Sequence, residues 1–123
     1  MAKKQNKHAY TSKQLDHGMA KLRRYYEWRE SNPRAYAYGV RMALDAVASG
    51  HHIGGQAVIE AIRGRDFTDE HGKPTRTNND YAPIIARELL RKHPHMAGRI
   101  ELRASVFDVL LPASACDGNT EVA

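Results

Sequence analysis

A mainly helical α+β domain is predicted by three features of this sequence. Apolar residues recur at three- and four-residue intervals in four stretches before residue 93, capping or breaking residues bound each stretch, and only 98–110 carries strand-like patterning. A chain of 123 residues with 27% charged side chains and a mean hydropathy of −0.65 holds one modest core.

Residues 1–10 are polar and basic, with Lys3, Lys4 and Lys7 and no acid, and read as a disordered arm ahead of a single domain over 11–111. Thr11-Ser12-Lys13-Gln14 has the form of a capping box, so a helix starts there and places Leu15, Met19, Leu22 and Tyr26 on one stripe. Gly18 weakens that helix by ~1 kcal/mol relative to Ala without breaking it. Ser31-Asn32-Pro33 ends it and begins the next, because Asn is a strong N-cap and proline is tolerated in a first turn. Tyr36, Val40, Leu44 and Val47 form the second stripe, which Ser49-Gly50 closes with a left-handed glycine. The two together make an N-terminal helical hairpin.

After a turn at 51–55, residues 56–63 form a short helix that points Val58, Ile59 and Ile62 inward, and Gly64 closes it. Residues 64–79 are rich in Gly, Asp, Thr, Asn and Lys around Glu70-His71-Gly72-Lys73-Pro74, a long exposed connection that is more often functional or hairpin-forming than idle. Asn78 or Asn79 then caps a fourth helix, which buries Tyr81, Ile85 and Leu89 and stops at His93-Pro94. Gly98-Arg99-Ile100-Glu101-Leu102-Arg103 alternates like a half-buried strand, and Val106-Phe107-Asp108-Val109-Leu110 pairs with it or extends it. The small, polar composition of 112–123 predicts a disordered tail.

Helix, helix, short helix, connection, helix, and a short C-terminal strand or hairpin is the order of a winged helix-turn-helix with an N-terminal helical extension. The connection before the fourth helix is longer than a plain helix-turn-helix turn, so a loop or hairpin must be inserted there. Ile59-Glu60-Ala61-Ile62-Arg63, Thr77-Asn78-Asn79-Asp80-Tyr81-Ala82-Pro83 with Ala86-Arg87, His93-Pro94 and Glu101-Leu102-Arg103 resemble a group of small phage and prophage proteins with a winged-helix-like domain. The resemblance covers roughly residues 53–108 and leaves the N-terminal helices outside. It implies a phage or prophage setting and nucleic-acid binding, and it identifies no catalytic residue.

Lys and Arg number 19 against 14 Asp and Glu. The first 13 residues hold four lysines and no acid, whereas 104–123 hold three acids and no Lys or Arg. A basic lead before a mildly basic domain suits a polyanion partner as well as simple solubility. With double-stranded DNA as partner, Arg87 and Arg91, one helical turn apart, join Lys92, Arg63, Arg65, Lys73 and Arg76 as phosphate contacts. Thr77, Asn78 and Asn79 stand at the front of the recognition helix, where an Asn amide reads adenine with about 1–3 kcal/mol of discrimination. Arg99 and Arg103 belong to the wing. Each has a plainer use: Asn79 as an N-cap, Asn78 in a turn, Arg87 and Arg91 as a solvated face suited to a helix C-terminus. Asp66, Asp69, Glu70 and Asp80 lie close to the same surface and repel phosphate.

Tyr25, Tyr26 and Trp28, with Tyr36 and Tyr38 across the turn at Asn32, admit two roles. They either pack the helical hairpin onto the domain or form an exposed patch for a second copy or for a host protein that this protein inhibits. Cys116 is the single cysteine, so an intramolecular disulfide is excluded and a reducing cytoplasm, bacterial if the setting is a phage, is expected. The opening Met-Ala-Lys-Lys-Gln-Asn-Lys lacks the apolar run of a secretion signal, and no stretch has the length of a membrane span. The seven histidines match no metal-ligand spacing. Without a Gly-rich phosphate loop, a nucleophile elbow or paired carboxylates, no cofactor, metal or enzymatic activity is expected.

Overall fold

The computed structural model describes residues 9–111, a mainly helical unit with one small parallel sheet. The expected basic arm, apart from Ala9 and Tyr10, and the expected tail over 112–123 lie outside the described residues.

Helix α1 (Ser12–Ser31) starts at the capping box: Gln14 N–H donates to Thr11 Oγ1 at 3.0 Å and Thr11 N–H to Gln14 Oε1 at 2.8 Å. Its buried stripe runs through Gly18, Leu22, Tyr25 and Trp28 and not through Met19 and Tyr26. The missing Cβ of Gly18 decides that phase, because a Cβ there would lie 2.6 Å from Leu110 and 3.0 Å from Val106. Asn32 separates α1 from α2 (Pro33–Ala48) but does not cap α2 with its side chain. Its Nδ2 donates to the Trp28 carbonyl at 2.9 Å and its Oδ1 accepts from Thr75 at 2.8 Å. The corner is thereby pinned to the long connection.

α2 buries Ala35, Gly39 and Ala43, a small-residue stripe that admits the side chains of α3 (Gly55–Arg63). A Cβ on Gly39 would fall 2.8 Å from Ile62 and 3.1 Å from Val58. Tyr36, Val40, Leu44 and Val47 flank this stripe at intermediate burial. α2 packs chiefly on α3 and α3 on α4 (Ala82–Lys92), whereas α1 divides its contacts among α2, α5 (Phe107–Leu110) and the turn before α4. The expected N-terminal hairpin is therefore an open corner. Gly50, at φ +86°, ends α2 in the left-handed region as anticipated.

The connection between α3 and α4 folds back on itself through a Thr68–Pro74 bridge and a turn at Gly72 (φ +79°). It docks on the α1–α2 corner, with Glu70 N–H donating to the Ser31 carbonyl at 2.9 Å and Arg34 to Thr68 Oγ1 at 3.3 Å. Asn78 caps the 3-10 turn Asn79–Tyr81 by accepting Asp80 N–H at 2.8 Å, and α4 follows. α4 buries Ile84, Ile85, Ala86, Arg87, Glu88 and Leu89, so it is the central helix of the core and not a projecting one.

The C-terminal part departs from expectation. Strand β2 is only Ile100–Glu101 and pairs in parallel with β1 (Ile53–Gly54), Ile53 opposite Ile100 and Gly54 opposite Glu101. Residues 106–110 neither pair with it nor extend it; Phe107–Leu110 is α5. Ser105 Oγ accepts Phe107 N–H at 3.2 Å and the Asp108 carboxylate accepts Ser105 N–H at 3.0 Å, so local capping turns the chain helical before a strand can form. No helix among the described residues is long and apolar enough to cross a membrane.

Candidate functional site

The residues expected to face DNA are dispersed. Arg87 is 1% exposed, and its guanidinium donates to Asp108 Oδ1 at 2.9 and 2.6 Å, to the Pro83 carbonyl at 2.9 Å and to the Arg103 carbonyl at 2.7 Å. A buried guanidinium needs such a set of acceptors, and one with four of its five N–H groups engaged and almost no exposed surface is closed to phosphate. Arg87 is thus a structural residue of α4. Thr77 is also buried, and both Nε and Nη2 of Arg63 are directed at its carbonyl, at 3.0 and 2.6 Å. Asn78 is occupied as a cap, and Asn79 Oδ1 accepts from Gln56 at 3.1 Å. Arg99 donates to the Gly50 carbonyl and ties β2 to the end of α2. Arg65 lies 5.0 Å above the Tyr38 ring, while Lys73, Arg76 and Arg103 are exposed without sharing one face of a helix. The backbone N–H groups of Lys73, foremost, and His71 hold the Asp69 carboxyl below its ordinary range, so it stays anionic in the same loop.

The five aromatic residues also divide. Tyr25 and Trp28 are core: with Tyr81 they form a ring cluster at centroid separations of 5.5 to 6.1 Å. Neither can anchor a protein partner from that position. Tyr38 is half-buried against Phe67 at 5.4 Å. Tyr26 and Tyr36 are half-buried at a different place, where the outer end of α4 meets α1 and α2.

That place holds the most developed polar cluster among the described residues, and its centre, Glu88, was not singled out from the sequence. The Glu88 carboxylate, 6% exposed, accepts from the Tyr25 hydroxyl, from Arg29 and, at 3.0 Å, from the Tyr36 hydroxyl; Lys92 Nζ stands 4.0 Å away. The Arg29 guanidinium sits over three rings, 5.0 Å from Tyr26, 5.4 Å from Tyr36 and 5.9 Å from Tyr25, as a cation–π sandwich. Lys92 Nζ lies 3.4 Å from the Tyr36 hydroxyl and 5.7 Å from the centre of its ring. Burial foremost, then the Glu88 charge, raises the Tyr26 hydroxyl above the ordinary tyrosine value, with Arg29 and the exposed Arg91 acting the other way. One buried carboxylate thus faces two cations, of which Lys92 is well exposed.

Burial first, and the Glu88 charge second, push the Tyr25 hydroxyl far above the ordinary tyrosine range and the Tyr36 hydroxyl up to about 12. Both phenols therefore remain neutral donors at neutral pH, unfit as bases. What the cluster offers chemically is positive charge beside aromatic faces. Glu88, the one acid of α4, between the apolar pairs Ile84-Ile85 and Leu89-Leu90 and with Lys92 four residues on, was the one sequence signal for it.

Elsewhere, Tyr10, Gln14, His17, Gly18, Lys21 and Val106 line an open depression of about 250 Å³. No group of three His, Cys, Asp or Glu among the described residues is placed to hold a metal ion. No family model, curated protein or solved structure matches this chain.

Proposed function

We propose that this protein is a small nucleic-acid-binding accessory factor that grips the sugar–phosphate backbone where the C-terminal end of α4 meets α1 and α2. The observation that carries it is the gathering of Arg29 and Lys92 with the half-buried rings of Tyr26 and Tyr36 around the Glu88 carboxylate, with the exposed Arg91 next to Lys92 in the chain. Phosphate contacts from Lys and Arg supply affinity without sequence information, which suits a patch that lacks base-reading amides. The four lysines of residues 1–13 contribute to the net positive charge of the chain, which favours a polyanion partner. A winged-helix mode, with the front of α4 in the major groove, finds less support, since Thr77 is buried and Asn78 caps a turn. The phage or prophage setting implied by the resemblance places the action in a host cytoplasm and is part of the proposal.

Labelled DNA, duplex and single-stranded, titrated at several salt concentrations tests this. Affinity should fall steeply as salt rises, and Arg91→Ala and Lys92→Ala should each weaken binding and lower the salt slope by about one. Absence of binding at low salt, or variants that bind like the parent, would remove the proposal.

A further inference from the structure

We infer that the nucleic acid held at this patch is single-stranded, its phosphates on Arg91 and Lys92 and an unstacked base on the aromatic surface of Tyr26 and Tyr36. The inference rests on the backbone-binding proposal and adds the class of strand.

Three observations carry it. First, the two rings are not core: Tyr25 and Trp28 fill the interior, while Tyr26 and Tyr36 remain half-buried with their ring centres 5.0 and 5.4 Å from the Arg29 guanidinium. Arg29, fixed by Glu88, stacks over these rings and holds them in place, and its guanidinium, on a side chain 28% exposed, is itself a plane on which a base can stack. Second, the cations adjoin the rings instead of lining a face: Lys92 Nζ is 3.4 Å from the Tyr36 hydroxyl, Arg29 lies over the Tyr26 ring at 5.0 Å, and the exposed Arg91 is the neighbour of Lys92 in the chain. Charge alternating with ring faces at this scale matches the alternation of phosphate and base along one strand. A duplex keeps its base faces stacked inside and offers these rings only edges. Third, no helix or strand among the described residues offers a continuous basic face to enter a groove. α4 is buried along Ile84–Leu89, each strand is two residues long, and the outer face of α1 mixes Arg23 and Arg24 with Asp16, Glu27 and Glu30.

The hydroxyl of Tyr26 makes no hydrogen bond among the described residues, so its ring can be tested apart from its polar end. The parent protein is titrated at low salt with three labelled probes of equal length: a single-stranded oligonucleotide, its duplex, and an abasic strand carrying the phosphates without bases. The single strand should bind about ten-fold more tightly than the abasic strand, as expected for one stacked base, and more tightly than the duplex. Tyr26→Leu should reduce the single strand to the abasic level, Tyr26→Phe should leave it unchanged, and Arg91→Ala should weaken all three probes alike. Equal, salt-dependent affinity for the three probes overturns the single-strand inference while the backbone proposal stands. No salt-dependent binding to any of them overturns both. The probe comparison uses the unaltered chain, so it decides the matter even if Tyr26→Leu fails to fold.

Discussion

Arg87 and Arg91 stand one turn apart on α4 and share a side chain, yet the structure gives them opposite employment. Arg87 is enclosed and donates to two backbone carbonyls and the Asp108 carboxylate, whereas Arg91 is exposed. Arg87→Ala should lower the unfolding free energy by about 3 kcal/mol, because the Arg103 and Pro83 carbonyls lose a charged donor and a cavity opens. The ion pair adds little to that figure, since Asp108 is half exposed. Arg91→Ala should stay within about 0.5 kcal/mol of the parent and act on binding instead. Urea midpoints that coincide for the two variants would contradict this division. Glycine shows the same dependence on surroundings. A Cβ on Gly55 would lie 1.9 Å from the Ala82 carbonyl oxygen, backbone against backbone, so Gly55→Ala must push α3 and α4 apart at a cost of about 3 kcal/mol. Gly72→Ala meets nothing within 4 Å and bears only the left-handed strain, about 1 kcal/mol. A smaller loss at Gly55 than at Gly72 in the same urea series would show that this contact is not rigid.

Among the elements, α5 and the middle of α1 depend on each other. Gly18→Ala by itself gains about 1 kcal/mol of helix propensity but drives a methyl group against Leu110 Cδ1, the far end of a flexible side chain, and against Val106. The net change should be close to zero in the parent and stabilising once Leu110→Ala has cleared the space. A double-mutant cycle by thermal or urea unfolding measures the coupling, and strict additivity would deny the contact. The same pair shows how far local sequence determines local form. The Thr11–Gln14 box, the proline after Asn32, the left-handed Gly50 and the Asn78 cap were all readable because each is a bond or a conformation confined to a few residues. The strand expected at 106–110 failed because alternation in five residues looks alike in a strand and in one helical turn. The overlooked arbiter was Ser105 with Asp108 three positions on. The phase of α1 failed for a longer-range reason: apolar Met19 is 45% exposed while Gly18 is buried, and only the arrival of α5 explains that exchange. The candidate site was hardest to read. Glu88 finds Tyr25, Arg29 and Tyr36 across 63, 59 and 52 residues, and no spacing rule within one element spans such distances.

At the scale of the whole molecule, that carboxylate joins three helices, so fold and proposed function share a single charge. Tyr25 from α1 and Tyr36 from α2 donate to Glu88 on α4, and each can do so only while it keeps its proton. Burial, then the Glu88 charge, raises both hydroxyls above the ordinary tyrosine value of 10.0, Tyr36 to about 12 and Tyr25 beyond it. The sign follows from linkage: above pH 10 the unfolded chain releases protons that the folded chain retains, so stability falls as pH rises. The contribution is complete below pH 10 and is lost through about 12 for Tyr36, with Tyr25 following. In an alkaline titration, tyrosinate absorbance should therefore develop in two stages, the second coinciding with loss of helical circular dichroism as α1 and α2 come away from α4. Glu88→Gln removes the anion that opposes a second negative charge. In that variant Tyr36 should ionise at lower pH than in the parent, though still above 10, because burial remains the larger cause. The same variant removes the carboxylate that pairs with Arg29 and Lys92, so its affinity for phosphate should rise where its alkaline stability changes. Tyrosinate that forms in a single stage near pH 10, with helices intact, would show that the two phenols are free of Glu88 and that the junction does not hold the helices together.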